Sequence, residues 1–361
     1  MTTSTMTTSP TTTSVLITLD SMRHANTGLY TYGHSLGREF VRQAGDQFRL
    51  AAYTYPEQQG VLGPEIDYVR NSRLDRWFFR GGAGFDVVHF ADQYCRFGPA
   101  RVKGKSVMTI HDLNQLHERT PGYKLERFMR RMGVKIAGVD RIVTISQFVA
   151  ADVERHFPQA RGKTSVIYNG ADVTRAPDGH RPQQVPDAPF LFTIGMVCPK
   201  KNFHVLVPLL KNNAKKLVIA GIIKEDYKDL ILRDAQELGV ADRVMITGPI
   251  SEHDKAWYYA NCEAFVFPSL AEGFGLPVIE AMHHGKPVFL STHTSLPEIG
   301  GDAAYYFDNF DPAAMIDVLE RGMLDFAATG GPERVRAHAS QFTWEKAAAA
   351  YLALFRSLAA A

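Results

Sequence analysis

The chain is expected to fold as α/β, with two domains that each hold a parallel sheet between helices. Three observations predict this. Short apolar runs alternate with helix-period patterns over nearly all of the 361 residues, which is how strands joined by crossover helices read. A polar, proline-rich stretch at 176–189 interrupts that alternation near its middle. The length is also long for one hydrophobic core and comfortable for two.

Taken in order, residues 1–13 are almost all Thr, Ser and Met. They lack the basic start and apolar centre of a signal peptide and are expected to form a disordered leader. The first domain, 14–175, offers strands at Val15–Leu19, Phe48–Tyr53, Val87–Phe90, Ser106–Ile110, Arg141–Ile145 and Ser165–Tyr168. Residues 176–189 are the expected linker. The second domain, 190–340, offers Phe190–Ile194, Lys216–Ala220, Arg243–Thr247, Ala264–Phe267, Pro287–Leu290 and Ala304–Phe307. Strands buried on both faces read as continuous apolar runs, and most of these do. Two Rossmann-like domains facing one another would bind ligands in the cleft, at the carboxyl ends of their strands. The last segment, 341–361, reads as a helix with Thr343 as its N-cap.

Composition narrows the function classes. A net charge of +2 gives no sign of a dedicated nucleic-acid binder. Cys95, Cys198 and Cys262 are odd in number and widely spaced, so they fit neither a disulfide framework nor a zinc site, and a reducing cytoplasm is expected. No apolar run reaches the roughly 18–20 residues that span a bilayer.

The stretch Pro268-Ser-Leu-Ala-Glu272-Gly-Phe-Gly-Leu-Pro-Val-Ile-Glu280-Ala-Met282 carries the most chemistry. A strand ends at Phe267, a glycine-rich loop follows, and Pro277 suits the first turn of a helix starting near Leu276. Backbone N–H groups at such a start favour an anion. Glu272 sits in the loop. Glu280 sits about one turn inside the helix, where a carboxylate suits sugar hydroxyls. Phosphate held by backbone and hydroxyls held by carboxylates together describe a nucleotide sugar. The plain alternative is an ordinary strand–turn–helix joint.

This segment resembles the E-x7-E motif of the retaining glycosyltransferases of family 4, which have the GT-B fold. The resemblance takes in the flanking Pro-Ser, the Gly-Phe-Gly-Leu-Pro centre and the trailing Glu-Ala-Met, and it extends over most of the chain after residue 14. It implies two Rossmann-like domains across a cleft, with the final helix crossing back to the first domain. It implies that Gly273, Phe274, Gly275 and Leu276 hold the donor through backbone amides, that Glu280 holds the ribose, and that Glu272 borders the transferred sugar.

Other segments are similar to further parts of the family. In Gly195-Met-Val-Cys-Pro-Lys200-Lys201-Asn202, two lysines follow a strand and are expected at a helix start. Lys201 takes the family's lysine position. Lys200 stands where many members have arginine, and Met196 where others place theirs, so phosphate binding here would rest on point charges. His111 ends a strand in Thr-Ile-His-Asp-Leu. Alone, a histidine there is more often structural than catalytic, but the resemblance places it beside the reacting sugar. Asp112 reads more safely as a cap for the next helix than as a partner of that ring. Gly28, opening Gly-Leu-Tyr-Thr-Tyr-Gly-His-Ser-Leu, is similar to the family's first-domain glycine near the donor phosphates, or is a simple loop glycine. Thr247-Gly-Pro-Ile250 would border the nucleotide base, with Ile250 as an apolar contact. Ser146 and Asn169-Gly170 read as a cap and a turn. Glu298, in Ser295-Leu-Pro-Glu-Ile-Gly-Gly, reads either as part of the donor pocket or as a helix-start carboxylate. The loops Tyr55–Pro64 and Asp92–Lys105 would shape an acceptor site.

Residues 123–137 set Leu125, Phe128, Met129, Met132 and Ile136 at helical spacing. Lys124, Arg127, Arg130, Arg131 and Lys135 lie on the other side, opposed only by Glu126. This is either a core-facing stripe with a solvated basic face or a surface for anionic membrane. No Asp-x-Asp pair occurs, so no metal and no other cofactor is expected. The function implied is cytoplasmic, metal-independent transfer of a sugar with retention to a glycan or lipid-linked acceptor, with peripheral contact at the inner membrane face as an option. Mannose from GDP-mannose leads, and UDP-glucose is the close alternative. An epimerase of the same fold and a non-catalytic sugar-nucleotide-binding scaffold are the rival classes.

Overall fold

The protein is described by a computed structural model over residues 12–23, 27–76, 79, 84–118 and 121–361. The expected leader falls almost wholly outside these residues. The first strand begins at Thr13, inside the stretch assigned to that leader.

The first domain holds β1 (Thr13–Thr18), β2 (Phe48–Thr54), β3 (Asp67–Arg70), β4 (Val87–Phe90), β5 (Lys105–Ile110), β6 (Arg141–Thr144) and β7 (Thr164–Val166). They form one parallel sheet in the order β3-β2-β1-β4-β5-β6-β7. Its helices are α1 (Gly28–Ala44), α2 (Asn114–His117), α3 (Gly122–Gly138) and α4 (Gln147–His156). β3 has no counterpart among the strands expected from sequence. It is a four-residue edge strand, Asp-Tyr-Val-Arg, with charged ends exposed. Short, charged edges resist unwanted strand pairing and for that reason carry little apolar signal.

The second domain holds β8 (Phe190–Ile194), β9 (Lys216–Ala220), β10 (Val244–Gly248), β11 (Ala264–Phe267), β12 (Val288–Ser291) and β13 (Tyr305–Phe307). They too form a parallel sheet, in the order β10-β9-β8-β11-β12-β13. Its helices are α5 (Glu225–Glu237), α6 (Glu252–Asn261), α7 (Leu276–His283), α8 (Leu296–Gly300), α9 (Pro312–Ala328) and α10 (Gly331–Ala339). In each sheet the strand order reverses beside the first strand of the domain, and the crevice at such a switch point is where open α/β sheets bind ligands. Residues 171–189, between the sheets, contain no helix or strand.

The final helix, α11 (Trp344–Ala359), starts from Thr343, whose side chain accepts the Lys346 N–H. It packs on α1 and β1 of the first domain, where Trp344, Tyr351 and Phe355 join Val15, Leu36 and Phe40 in one buried cluster. A polar chain runs through this apolar contact. The Tyr351 hydroxyl lies 2.9 Å from that of Tyr32 and 2.8 Å from Thr109 Oγ1, and Thr109 lies 2.8 Å from His89 Nε2. Burial, reinforced by neighbouring His111, drives His89 down to about 3, so its ring is neutral and bonds without a buried charge. The α3 stripe packs inward. Phe128, Met132 and Ile136 are buried in the other first-domain cluster, and Leu125 and Met129 lie against it.

Candidate functional site

The loop between β11 and α7 brings the two domains into contact. Gly275 takes φ 116° and caps α7, with Pro277 in the first turn. Glycine adopts this backbone without a Cβ penalty. Gly273, Phe274 and Gly275 are buried residues, yet among the described residues their N–H groups donate to no other group. Unpaired buried amides are rare in folded proteins. Three such amides in succession at a helix start are suited to an anion. The loop carbonyls, by contrast, are satisfied. Ser295 Oγ shares its one proton between the Glu272 carbonyl (3.0 Å) and that of Phe274 (2.9 Å), and Ser146 Oγ, from the first domain, donates to that of Gly273 (2.7 Å).

Both glutamates of the motif are held by cations. Glu272 Oε1 accepts from Ser269 Oγ (2.6 Å) and from Lys201 Nζ. Its backbone N–H donates to Thr294 Oγ1 (2.9 Å). Glu280 Oε1 takes Lys255 Nζ at 2.9 Å and Oε2 takes the Tyr259 hydroxyl at 2.9 Å. Two carboxylate oxygens offer about four acceptor positions, so Glu280 keeps acceptor capacity beyond these two bonds. Burial lowers Lys255, but Glu280 and Glu252 more than offset it and hold the lysine above its ordinary range.

The lysine loop differs from the expected helix start. Pro199–Lys201 is one 3-10 turn, and Asn202 then turns left-handed at φ 58° before a second 3-10 segment, Phe203–Leu210. Pro199 and Pro208 each lack an N–H for a regular helical ladder. So little helix dipole assists here, and the charges are the side chains themselves. Lys200 reaches across to Glu118 of the first domain (3.1 Å), while Lys201 bonds Glu272 within its own domain. Burial opposes the charge on Lys200, but Glu272, Glu118 and Asp112 outweigh it and raise its affinity for the proton.

On the opposite wall, His111 is buried at the end of β5, with its ring nitrogen Nε2 2.8 Å from the Ala91 carbonyl. That contact assigns the proton to Nε2. Burial holds the ring below the usual histidine value. Its own carbonyl abuts Gly273: a Cβ added there would stand 1.9 Å from His111 O. Asp112 accepts the Asn114 N–H (3.1 Å), the capping role. Gln93 clips this strand end from behind, accepting the His111 N–H (3.2 Å) and donating to the Asp112 carbonyl (3.0 Å). The structure therefore gathers His111, Glu272, Gly273, Lys200 and Lys201 at one domain junction. Gly28 opens α1, and a Cβ there would meet nothing within 4 Å. Ile250 is half-buried after β10 and packs on the second-domain core.

Glu298 caps a helix of the other domain. Its oxygens accept the N–H groups of Gln147 (2.7 Å) and Phe148 (2.9 Å), the first residues of α4. A carboxylate at a helix start gains from both hydrogen bonds and dipole. Burial and the adjacent Glu298 together push Tyr168 up to about 12. Glu298→Ala is expected to cost about 1–2 kcal/mol of stability, and Glu298→Gln, which can accept at one oxygen only, about half of that. Urea unfolding of the three proteins checks this, and equal midpoints for Ala and wild type would remove the latch.

Comparison with known proteins decides the family. The model described as Glycosyltransferase Family 4 matches residues 28–175, and the one described as Glycosyl transferases group 1 matches 178–328. The chain belongs to these glycosyltransferases. It is 28% identical over 345 residues to the serotype-specific mannosyltransferase WbdA of Escherichia coli, covering 88% of this chain and 39% of that protein. It is 28% identical over 258 residues to the O-antigen chain mannosyltransferase B of Escherichia coli, covering 67% of each. The chain thus spans about two-fifths of the WbdA length. Among solved structures it resembles Anabaena HepE in complex with UDP and glucose, with a TM-score of 0.74, 17% identity, and 96% of this chain and 100% of that one covered. That likeness shows the two-domain GT-B fold.

Several residues of this glycosyltransferase that hold the junction or the motif beside it escaped the sequence reading. Gln93, Glu118, Lys255 and Thr294 sit on elements remote from the motif, and no local pattern marks them. Asp20 and Asp92, at the ends of β1 and β4, form a further buried acidic pair. Asp20 Oδ1 and Asp92 Oδ2 have no hydrogen-bond partner among the described residues. Burial, then the Asp92 charge, pushes Asp20 up to about 6 from 3.8. Because the folded value is the higher one, this group's stabilisation is complete below the unfolded value and is lost as pH rises through the folded one. Asp20→Asn is therefore expected to gain about 1–3 kcal/mol at pH 7.5 and nothing near pH 3.5. Denaturation at both pH values measures it, and an equal effect at both would remove Asp20 as the titrating group.

Proposed function

We propose that this glycosyltransferase moves a sugar from a nucleotide diphosphate to a glycan or lipid-linked acceptor, with retention at the anomeric carbon and without a metal. The observation that carries this is the row of unpaired amides at Gly273–Gly275 beside Lys200 and Lys201. Those donors and cations would stabilise charge growing on the departing diphosphate, a role that a divalent cation otherwise fills. Glu280, oriented by Lys255 and Tyr259, would accept the ribose hydroxyls. Glu272 has its Oε1 committed to Lys201 and Ser269, which suits a group that positions the sugar. His111 would border that sugar from the other wall, and Gly28 would let the first domain approach the donor. The leaving phosphate would help to deprotonate the acceptor, so the protein needs no nucleophile of its own. Ile250 would contact the base.

Mannose is the favoured sugar, because the mannosyltransferases above are 28% identical to the chain over 88% and 67% of its length. A uridine donor is the second reading, favoured by the UDP and glucose of the structural neighbour. The experiment is thermal stabilisation by a panel of nucleotide sugars without added metal, followed by turnover with the donor that stabilises most. A ligand that binds only the native state raises the midpoint, and more so the tighter it binds. Donor-selective stabilisation with acceptor-dependent turnover supports the proposal. Conversion without acceptor identifies an epimerase, binding without turnover a scaffold, and no shift at millimolar donor overturns the site.

A further inference from the structure

A second concavity opens on the first domain, about 950 Å³ in volume, between α3 and the loop from Gln93 to Gly98. Its size falls in the range of small-molecule sites. Among the described residues, six cationic side chains line it: Arg96, Lys124, Arg127, Arg130, Arg131 and Lys135. One carboxylate, Glu118, shares the lining, and it is already paired with Lys200. Lys124, Arg127, Arg130 and Arg131 are exposed, and none makes an ion pair among the described residues. Lys135 Nζ donates to the carbonyls of Gln93 (2.7 Å) and Cys95 (2.9 Å). An ammonium has three donors, so one is left over. Phe128 and Met132 supply an apolar floor. Exposed arginines with no carboxylate partners, set around an apolar floor, match the forked recognition of phosphate oxygens.

The pocket adjoins the candidate site through two residues of its lining. Gln93 holds the backbone of His111 and Asp112, and Glu118 holds Lys200. We propose that this pocket is the anion subsite of the acceptor, taking a phosphate or diphosphate group carried by the acceptor molecule while its hydroxyl reaches the junction at His111. This rests on the nucleotide-sugar reading of the neighbouring site. The same phosphate chemistry could arrive on a soluble sugar phosphate or on a lipid-linked diphosphate.

The test is calorimetric titration of the whole chain with inorganic pyrophosphate. It compares wild type, the double variant Arg127→Gln/Arg131→Gln and Lys201→Ala, each first shown to unfold at the wild-type midpoint. The expected result is a binding event weakened about tenfold or more in the double variant, as fits the loss of charge-assisted bonds, and retained in Lys201→Ala. The double variant should keep donor-induced thermal stabilisation, so failure of the pocket and failure of the donor site are told apart. Vesicles of phosphatidylcholine with one-quarter phosphatidylglycerol separate the sources. Sedimentation with vesicles that pyrophosphate reverses points to a lipid-borne acceptor, and pyrophosphate binding without sedimentation points to a soluble one. Should pyrophosphate binding depend on Lys201 alone, or be untouched by the arginine changes, the proposal is overturned. Vesicle binding that requires the arginines, with no pyrophosphate event in the pocket, likewise overturns it and makes the basic face a membrane surface.

Discussion

Gly273→Ala is expected to reduce kcat/KM by about 100-fold or more while leaving each domain folded. The added methyl would stand 1.9 Å from the His111 carbonyl oxygen and 3.1 Å from Asp112 Cβ. The nearer obstacle is backbone, so no side-chain rotation relieves it, and the two loops must part by more than 1 Å. Misplacement of about that size at a reacting centre costs on the order of 10²-fold. Separation would also stretch the Ser146 bond to the Gly273 carbonyl and the Lys200–Glu118 pair, both of which cross the same junction. Gly122→Ala is the matched control, because a Cβ there meets nothing within 4 Å. Steady-state kinetics on both variants, with small-angle scattering to detect an opened cleft, gives the answer. A Gly273→Ala enzyme with wild-type kcat/KM would show that this closed contact is not the one used in turnover.

Glu280→Ala is the second large effect. It should weaken donor binding by about 10–100-fold and erase most of the thermal shift that the donor gives. It should also destabilise the protein without donor by about 1–3 kcal/mol, because the Tyr259 hydroxyl loses its carboxylate and Lys255 keeps only the exposed Glu252. Glu280→Gln separates the two losses. An amide can still accept from Tyr259, so stability should be partly restored, whereas the acceptor capacity for a diol stays halved. A Glu280→Ala protein that binds donor as tightly as wild type would remove this carboxylate from the ribose.

The sheets were legible because strands buried on both faces leave continuous apolar runs. Val15–Leu19 and Ala264–Phe267 were found for that reason, and β3 was missed because an exposed edge strand leaves none. The glycine loop was legible as a glycine-rich turn before Pro277, whereas the positive φ at Gly275 and the close approach at Gly273 come from the fold. Residues defined by what they touch across the junction were not legible. Glu298 read as a donor-pocket or helix-start carboxylate. The helix it caps is α4, about 150 positions away in the chain, and no local pattern can say so. Lys200 and Lys201 were both read as phosphate partners, and the turn that ends at Asn202 sends one to each domain. The basic side of 123–137 was visible as charge, but its concavity was not, because the opposite wall comes from residues 93–98.

The return of α11 to the first domain has a consequence for biosynthesis. Tyr32 and its partner Tyr351 are separated by 319 positions. At synthesis rates of about 5–20 residues per second, roughly 16–64 s pass between their polymerisation. Through that interval Val15, Leu36 and Phe40 lack the aromatic cover that Trp344, Tyr351 and Phe355 give them. The second domain, whose sheet comes from one continuous stretch and whose core takes only Ile145 from the buried residues of the first, can close first, although it is made later. The amino-terminal half thus emerges with this part of its apolar face covered by α1 alone until residues 344–359 are made.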